Sequence, residues 1–288
     1  MQTEDYVLKW KDSAGMALWS VVAINMLKVI MFVFPIIVLS TQINDYFEYG
    51  ISPFGDVTDT YDIVRVGSIV LCVLSLVGFI CYARAMKRFV GAQVFWKDER
   101  PIRQARSGIV LLAVSLALGL AVAVSMGFSL ALMVVFVCMW VADIIAYCII
   151  KDGFSQLGGN AHYDDKAQKG FRDLGSAANF SIISKVTPLI AFAFFMILAI
   201  LFYTMATSAP ASHQADAFDV MGYAEQAYSN AETMYSAMRS IGTVGGIIML
   251  ASFCVMALLE VVVIFLSING WICLRKGGLT AKGTVSSK

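Results

Sequence analysis

Long apolar runs separated by short polar stretches dominate the pattern of this chain. Between Gly108 and Ala142 there are 35 consecutive positions without Lys, Arg, Asp, Glu or His. A hydrocarbon layer about 30 Å thick is crossed by roughly 20 helical residues, so this run is long enough for two crossings. The small residues around Ser125 and Gly127 permit a turn between them. Because backbone groups cannot stay unpaired in lipid, both crossings are predicted to be helices.

Six apolar runs in the chain are long enough to span a bilayer. The sequence therefore predicts an all-α fold, a polytopic membrane helix bundle with six transmembrane helices in one domain. The predicted spans are 16–40, 64–82, 108–124, 128–150, 183–206 and 242–271. The composition agrees, because only 14% of the 288 residues are charged, compared with about 25% in soluble domains.

The positions of the basic residues predict the orientation. Of the 21 Lys and Arg residues, 18 lie in the N-terminal segment, at the second and fourth loops or in the C-terminal tail, and the others are Lys28, Arg65 and Arg239. The first loop, 41–62, has five acids and no base. Since Lys and Arg in short loops stay on the cytoplasmic side, both termini are expected there.

The six cysteines all lie in apolar runs or at their ends, which argues against a disulfide framework. Together with the asymmetry of the basic residues, this pattern suits a protein of the bacterial inner (plasma) membrane.

Similar triplets recur at the cytoplasmic ends of the spans and suggest three tandem helical hairpins. A triplet of one apolar and two polar residues lies shortly before each odd span: Trp10-Lys11-Asp12, Ile102-Arg103-Gln104 and Phe171-Arg172-Asp173. A triplet that ends on an aromatic residue lies at or just beyond the end of each even span: Lys87-Arg88-Phe89, Asp152-Gly153-Phe154 and Asn269-Gly270-Trp271. The alternative to an internal repeat is that the triplets match by chance, because short triplets of these types recur easily in membrane proteins. A separate expectation places Phe89, with Phe95 and Trp96, at the level of the lipid headgroups.

Three charged residues, Lys28, Asp143 and Glu260, lie inside the predicted spans. A charge near the centre of a membrane helix costs roughly 2.5–3.5 kcal/mol, so these side chains should face the interior of the bundle. Asp143 precedes Phe154 by 11 residues, and Glu260 precedes Trp271 by 11, which gives the two carboxylates equal depth. One hypothesis is a midplane polar site that moves a small solute or ion. The other is that these residues form structural ion pairs between helices.

The outer stretch 216–241 has an apolar stripe at helical spacing that includes Met221, Tyr228, Tyr235 and Met238. We predict an amphipathic helix there, which either caps the outer ends of the spans or docks a partner. The second hypothesis for function follows from it. The chain would be a membrane scaffold or assembly component that binds a protein partner or another copy of itself through this helix and the basic loops.

Small residues form two faces on the third span. Ala113, Ala117 and Ala121 lie on one face, and Ser115 and Gly119 lie on the other. Faces of this kind allow helices to approach closely in lipid, so helix packing is their expected role.

The sequence has no motif that indicates an enzyme, a cofactor or a metal site. It contains no Walker loop, no GxGxxG, GxSxG or HExxH motif, and no Cys/His spacing typical of zinc. No large basic face exists outside the short loops, which argues against a nucleic-acid partner. The lipid bilayer is the expected surrounding of the chain, and the expected activity is not enzymatic.

Overall fold

The computed structural model describes residues 2–49, 57–91, 100–124, 130–207 and 220–278. All regular elements in these residues are helices. They are α1 (Gln2–Tyr49), α2 (Val57–Gly91), α3 (Arg100–Val124), α4 (Leu130–Gly158), α5 (Asp165–Thr207) and α6 (Val220–Lys276). The prediction of an all-helical fold is confirmed for the described part of the chain, and the predicted turn at Ser125–Gly127 lies outside it.

Five stretches within these helices are long and apolar enough to cross a membrane. They are Val7–Met31, Arg65–Val90, Arg100–Ala121, Asp165–Leu198 and Thr243–Lys276. The fourth predicted span falls mostly within α4, a helix of 29 residues. The chain therefore has the helices of an integral membrane protein.

The predicted outer helix and the last predicted span are parts of one helix. The sequence placed a separate amphipathic helix at 216–241, but α6 continues from Val220 to Lys276 without a break. Gly242, Gly245 and Gly246 lie where the two were expected to separate. A glycine lowers helix stability by about 1 kcal/mol, which a helix tolerates. An unbroken helix also keeps the backbone groups paired, as a lipid environment requires.

The chain divides into two compact units. Unit 1 comprises Met1–Ile182 and Val261–Lys288, and unit 2 comprises Ile183–Glu260. Unit 1 contains α1 to α4, the first part of α5 and the last part of α6. The main hydrophobic core lies in unit 1, around the ends of the helices that carry the recurring triplets.

Aromatic side chains form the centre of this core. Trp10 and Phe89 have ring centroids 4.4 Å apart, and Phe89 also contacts Trp271 at 5.8 Å. Phe154 stacks on Phe171 with centroids 6.3 Å apart. We call these five residues the aromatic cluster. All five are buried, so the ring of Phe89 packs against aromatic residues from other helices. Phe95 and Trp96, expected at the same level as Phe89, lie outside the described residues.

Glycines allow the helices of unit 1 to come into backbone contact. A Cβ atom on Gly153 in α4 would lie 2.5 Å from the carbonyl oxygen of Pro101 in α3. A Cβ atom on Gly270 in α6 would lie 2.9 Å from the carbonyl oxygen of Gly170 in α5. These distances are far below ordinary van der Waals contact, so only glycine fits at Gly153 and Gly270 without a shift of the neighbouring helix.

The α3–α4 pair also uses one of the predicted small-residue faces. Ser115 donates a hydrogen bond of 3.2 Å from its hydroxyl to the carbonyl oxygen of Met139. A Cβ atom on Gly119, one turn later, would lie 2.5 Å from the Met139 side chain. The face that carries Ser115 and Gly119 therefore packs against α4, as expected for small residues in a membrane bundle.

Candidate functional site

A space of about 70 Å³ lies between the helices of unit 1, and all six helices contribute residues to its wall. We call it the central cavity. A single water molecule needs roughly 10–15 Å³ of such volume, so the cavity has room for several waters or a small solute. Its wall is apolar over most of its area, but six polar side chains line it: Asn25, Lys28, Tyr82, Tyr147, Ser181 and Ser267.

Lys28 is the charged member of the described lining. Its ammonium group lies 3.5 Å from the hydroxyl of Tyr147 and donates a long hydrogen bond to it. The two residues come from α1 and α4, helices far apart in sequence. The cavity is therefore lined by a cation and by hydroxyl and amide groups, a combination that suits a small polar solute or an anion.

Two of the lining polar residues are deeply buried. Asn25 is 6% exposed and Ser181 is 2% exposed. Polar groups buried to this extent cost free energy unless they find hydrogen-bonding partners. The cavity places water or a polar ligand within their reach.

The aromatic cluster lies at the end of the cavity nearer the chain termini. Phe154 belongs both to the cavity wall and to the aromatic cluster. Tyr82, another lining residue, accepts a hydrogen bond of 3.2 Å from the indole nitrogen of Trp271. The indole nitrogen of Trp10 donates a bond of 2.7 Å to the carbonyl oxygen of Leu274. Phe154 and Tyr82 thus connect the wall of the cavity to the aromatic cluster.

The structure places Asp143 close to this site in sequence but outside its wall. Asp143 lies on α4 one turn before Tyr147, and residues four apart share a face of a helix. It is partly exposed and is not among the side chains that line the cavity. Of the three charges predicted to form the site, Lys28 lines the cavity and Asp143 belongs to the turn beside one of its lining residues.

Glu260 lies in unit 2. Its Oε1 atom accepts a hydrogen bond of 3.0 Å from the hydroxyl of Ser184, which is 1% exposed. This bond joins α5 to α6 and provides the carboxylate with a partner inside a helix pair. A hydroxyl partner of this kind lowers the cost of a carboxylate in a membrane helix.

The remaining residues with predicted roles lie outside the described side chains. Met221, Tyr228, Tyr235 and Met238 belong to α6, but their side chains are not among those described. Asp164, in a polar turn, accepts a bond of 2.7 Å from the amide of Ala167 and caps the start of α5. Among the described residues, no group of three His, Cys, Asp or Glu side chains is arranged to hold a metal ion.

Sequence reasoning missed several residues of the cavity. Asn25 and Tyr147 carry no charge and belong to no motif, and only their positions opposite other helices show their role. One signal was available for Asn25, which precedes Lys28 by three residues and therefore shares its face of α1. Ser181 gave no comparable signal.

No family model matches this chain, and comparisons with curated proteins and with solved structures also find no match.

Proposed function

We propose that this chain is a six-span membrane transporter with both termini in the cytoplasm, and that it binds a small polar solute or anion in the central cavity. The observation that carries the proposal is the cavity itself, a space between membrane helices that all six helices line and to which six polar side chains contribute. Buried polar groups inside a membrane domain are expensive and commonly belong to a transport path. The solute would bind beside Lys28.

Two equivalent contacts support the arrangement as tandem hairpins. Gly153 precedes the aromatic residue Phe154, and Gly270 precedes Trp271 in the corresponding triplet. Each glycine lies against a backbone carbonyl one residue before the starting triplet of its partner helix, those of Pro101 and Gly170. A shared contact at matched positions is what an internal repeat predicts.

The aromatic cluster supports a closed state of the proposed path. It contains the aromatic ends of all three even helices, together with Trp10 and Phe171 from the starts of α1 and α5. In this proposal a solute leaves the cavity toward the cytoplasm only when the rings separate. Transport sites near the middle of a membrane are reached from one side at a time through movements of this type.

Flux through proteoliposomes that contain the full chain tests the proposal. Chloride entry is followed by quenching of an enclosed halide-sensitive dye, and glycerol entry is followed by light scattering. We expect at least one probe to enter faster than into empty liposomes, and chloride to be favoured because Lys28 lines the cavity. Lys28→Met should bring chloride entry close to the empty-liposome rate, and Lys28→Arg should preserve part of it.

Lys11→Met is the matched control, because Lys11 is an exposed cation on the same helix and lies outside the cavity. Equal loss of flux in Lys11→Met and Lys28→Met would refute a specific role for the cavity. Entry of both probes at the empty-liposome rate would count against transport. The scaffold hypothesis would then gain if Tyr228→Ala or Tyr235→Ala releases a protein that co-purifies with the chain.

A further inference from the structure

A second concave site lies at the surface of unit 1, between α2 and α3. This groove has a volume of about 330 Å³, within the ~300–1,000 Å³ range of small-molecule sites. Its wall is apolar along most of its length, as at Ile80, Val110 and Val114, which are exposed. We call it the α2–α3 groove.

The charges of the groove are collected at one end. Arg84 and Lys87 lie toward the end of α2, and Arg106 lies near the start of α3, so the three cations come together where these helices meet. No carboxylate is among the described residues that line the groove. The site is therefore amphipathic, with a cationic head and an apolar body.

Arg106, at the cationic end, has one nitrogen that lacks a hydrogen-bond acceptor among the described residues. This nitrogen, Nε, is buried, and none of the described residues accepts a hydrogen bond from it. A buried guanidinium N–H without an acceptor is costly, because its hydration has been lost and not replaced. An anionic oxygen bound at this end of the groove would supply the missing acceptor.

The length of the groove matches one leaflet of a bilayer. Its lining extends over 12 residues on each helix, from Leu76 to Lys87 on α2 and from Arg106 to Ala117 on α3. At a rise of about 1.5 Å per residue, the distance from the first to the last of them is roughly 16 Å, close to half of a hydrocarbon core about 30 Å thick. A lipid with its headgroup at the cations would lay an acyl chain along the apolar body within a single leaflet.

The other small-residue face of α3 gives the groove its depth. Ala113 and Ala117 line it, whereas Ser115 and Gly119 face α4. The short alanine side chains leave space between α2 and α3 where larger residues would close it. One face of α3 therefore packs against a helix, and the other contributes to an open site.

We propose that the α2–α3 groove binds an anionic phospholipid, whose phosphate is held by Arg84, Lys87 and Arg106 and whose acyl chain lies along Val110, Val114 and Ala117. Basic pockets between membrane helices bind anionic headgroups in this manner, and each Lys or Arg near the headgroups strengthens such binding severalfold. The groove is separate from the central cavity, so this proposal stands whether or not the chain transports a solute.

Native mass spectrometry of the full chain in a neutral detergent tests the proposal, because it counts bound lipids one by one. Phosphatidylglycerol and phosphatidylcholine with identical acyl chains are the probes. We expect one phosphatidylglycerol to bind at least tenfold more tightly than phosphatidylcholine. Arg106→Gln should weaken this binding about fivefold, and Arg84→Gln should do the same if Arg106→Gln fails to fold.

Arg103→Gln is the charge-matched control, because Arg103 is exposed on the same helix and lies outside the groove. Ala117→Trp should fill the apolar body and exclude the acyl chain, whereas Leu118→Trp, an exposed neighbour outside the groove, should leave binding unchanged. A preference for phosphatidylglycerol that is lost in Arg106→Gln and Ala117→Trp but kept in both controls supports the proposal.

Three outcomes would overturn it. Equal binding of the two lipids would show that the cations do not select a headgroup. Equal weakening in Arg103→Gln and Arg106→Gln would show general charge attraction without a built site. Displacement of the lipid by millimolar inorganic phosphate, combined with no effect of Ala117→Trp, would identify a free phosphate site in place of a lipid site.

Discussion

Replacement of Gly153 by alanine tests whether the close approach of α3 and α4 depends on this glycine. The added Cβ would lie 2.5 Å from the carbonyl oxygen of Pro101 and 2.9 Å from the amide nitrogen of Ala105. Ordinary contact begins at 3.4 Å, so the helices would have to separate by roughly 0.9 Å at this point. Both contacting atoms belong to the backbone, and no side-chain rotation can relieve the overlap.

The magnitude follows from two opposing terms. Overpacking of a tightly packed site costs about 1–3 kcal/mol. Alanine in place of glycine within a helix returns up to about 1 kcal/mol. We therefore expect Gly153→Ala to lower the free energy of unfolding by roughly 0.5–2 kcal/mol.

Gly246→Ala isolates the second term, because a Cβ atom on Gly246 in α6 would meet nothing within 4 Å. We expect this control to be as stable as the original chain or slightly more stable. The measurement is the thermal transition of each purified variant in the same detergent. At about 2–4 °C per kcal/mol, Gly153→Ala should unfold several degrees below Gly246→Ala.

Gly270→Ala should behave like Gly153→Ala, because its Cβ would lie 2.9 Å from the carbonyl oxygen of Gly170. If Gly153→Ala and Gly246→Ala unfold at the same temperature, the backbone contact between α3 and α4 is not part of the folded protein and the packing argument fails. If Gly153→Ala is destabilised and Gly270→Ala is not, the two helix pairs are not equivalent.

Three further sets of substitutions have defined outcomes. Trp10→Phe should lower the free energy of unfolding by about 1 kcal/mol, because the hydrogen bond to Leu274 is lost. Trp10→Ala should lower it by about 3–5 kcal/mol, as measured by the same thermal transition. If both variants lower the transition equally, the stability that Trp10 contributes comes from the hydrogen bond and not from ring packing. Asp143→Asn and Glu260→Gln replace carboxylates that do not line the central cavity, so chloride flux into proteoliposomes should stay close to that of the original chain. A loss of flux with an unchanged thermal transition would contradict this and bring both carboxylates into the transport path. Asp164→Ala should speed hydrogen exchange in the first turn of α5 and lower the free energy of unfolding by about 1 kcal/mol, because the helix cap is lost. Unchanged hydrogen exchange would exclude a capping role for Asp164.

Several features of this protein follow from the sequence alone. Apolar runs of roughly 20 residues or more determine the helices, because lipid leaves a backbone no other local way to pair its polar groups. The recurring triplets identified Trp10, Phe154 and Trp271, and all three are members of the aromatic cluster. The spacing of the small residues Ser115 and Gly119 likewise predicts helix packing, and both lie against Met139 of α4.

The tertiary structure decided which residues meet, since contacts between distant helices leave no periodic signal in a single chain. The phenyl ring of Phe89 suits a lipid headgroup region and a protein core equally well, and only its neighbours Trp10 and Trp271 place it in the core. Lys28 stands out in the sequence because a charge is costly in a membrane helix, but its partner Tyr147 is known only from the tertiary structure, which brings α1 and α4 to the same cavity. The α2–α3 groove arises in the same way, because Lys87 and Arg106 become one site only when two helices align their ends.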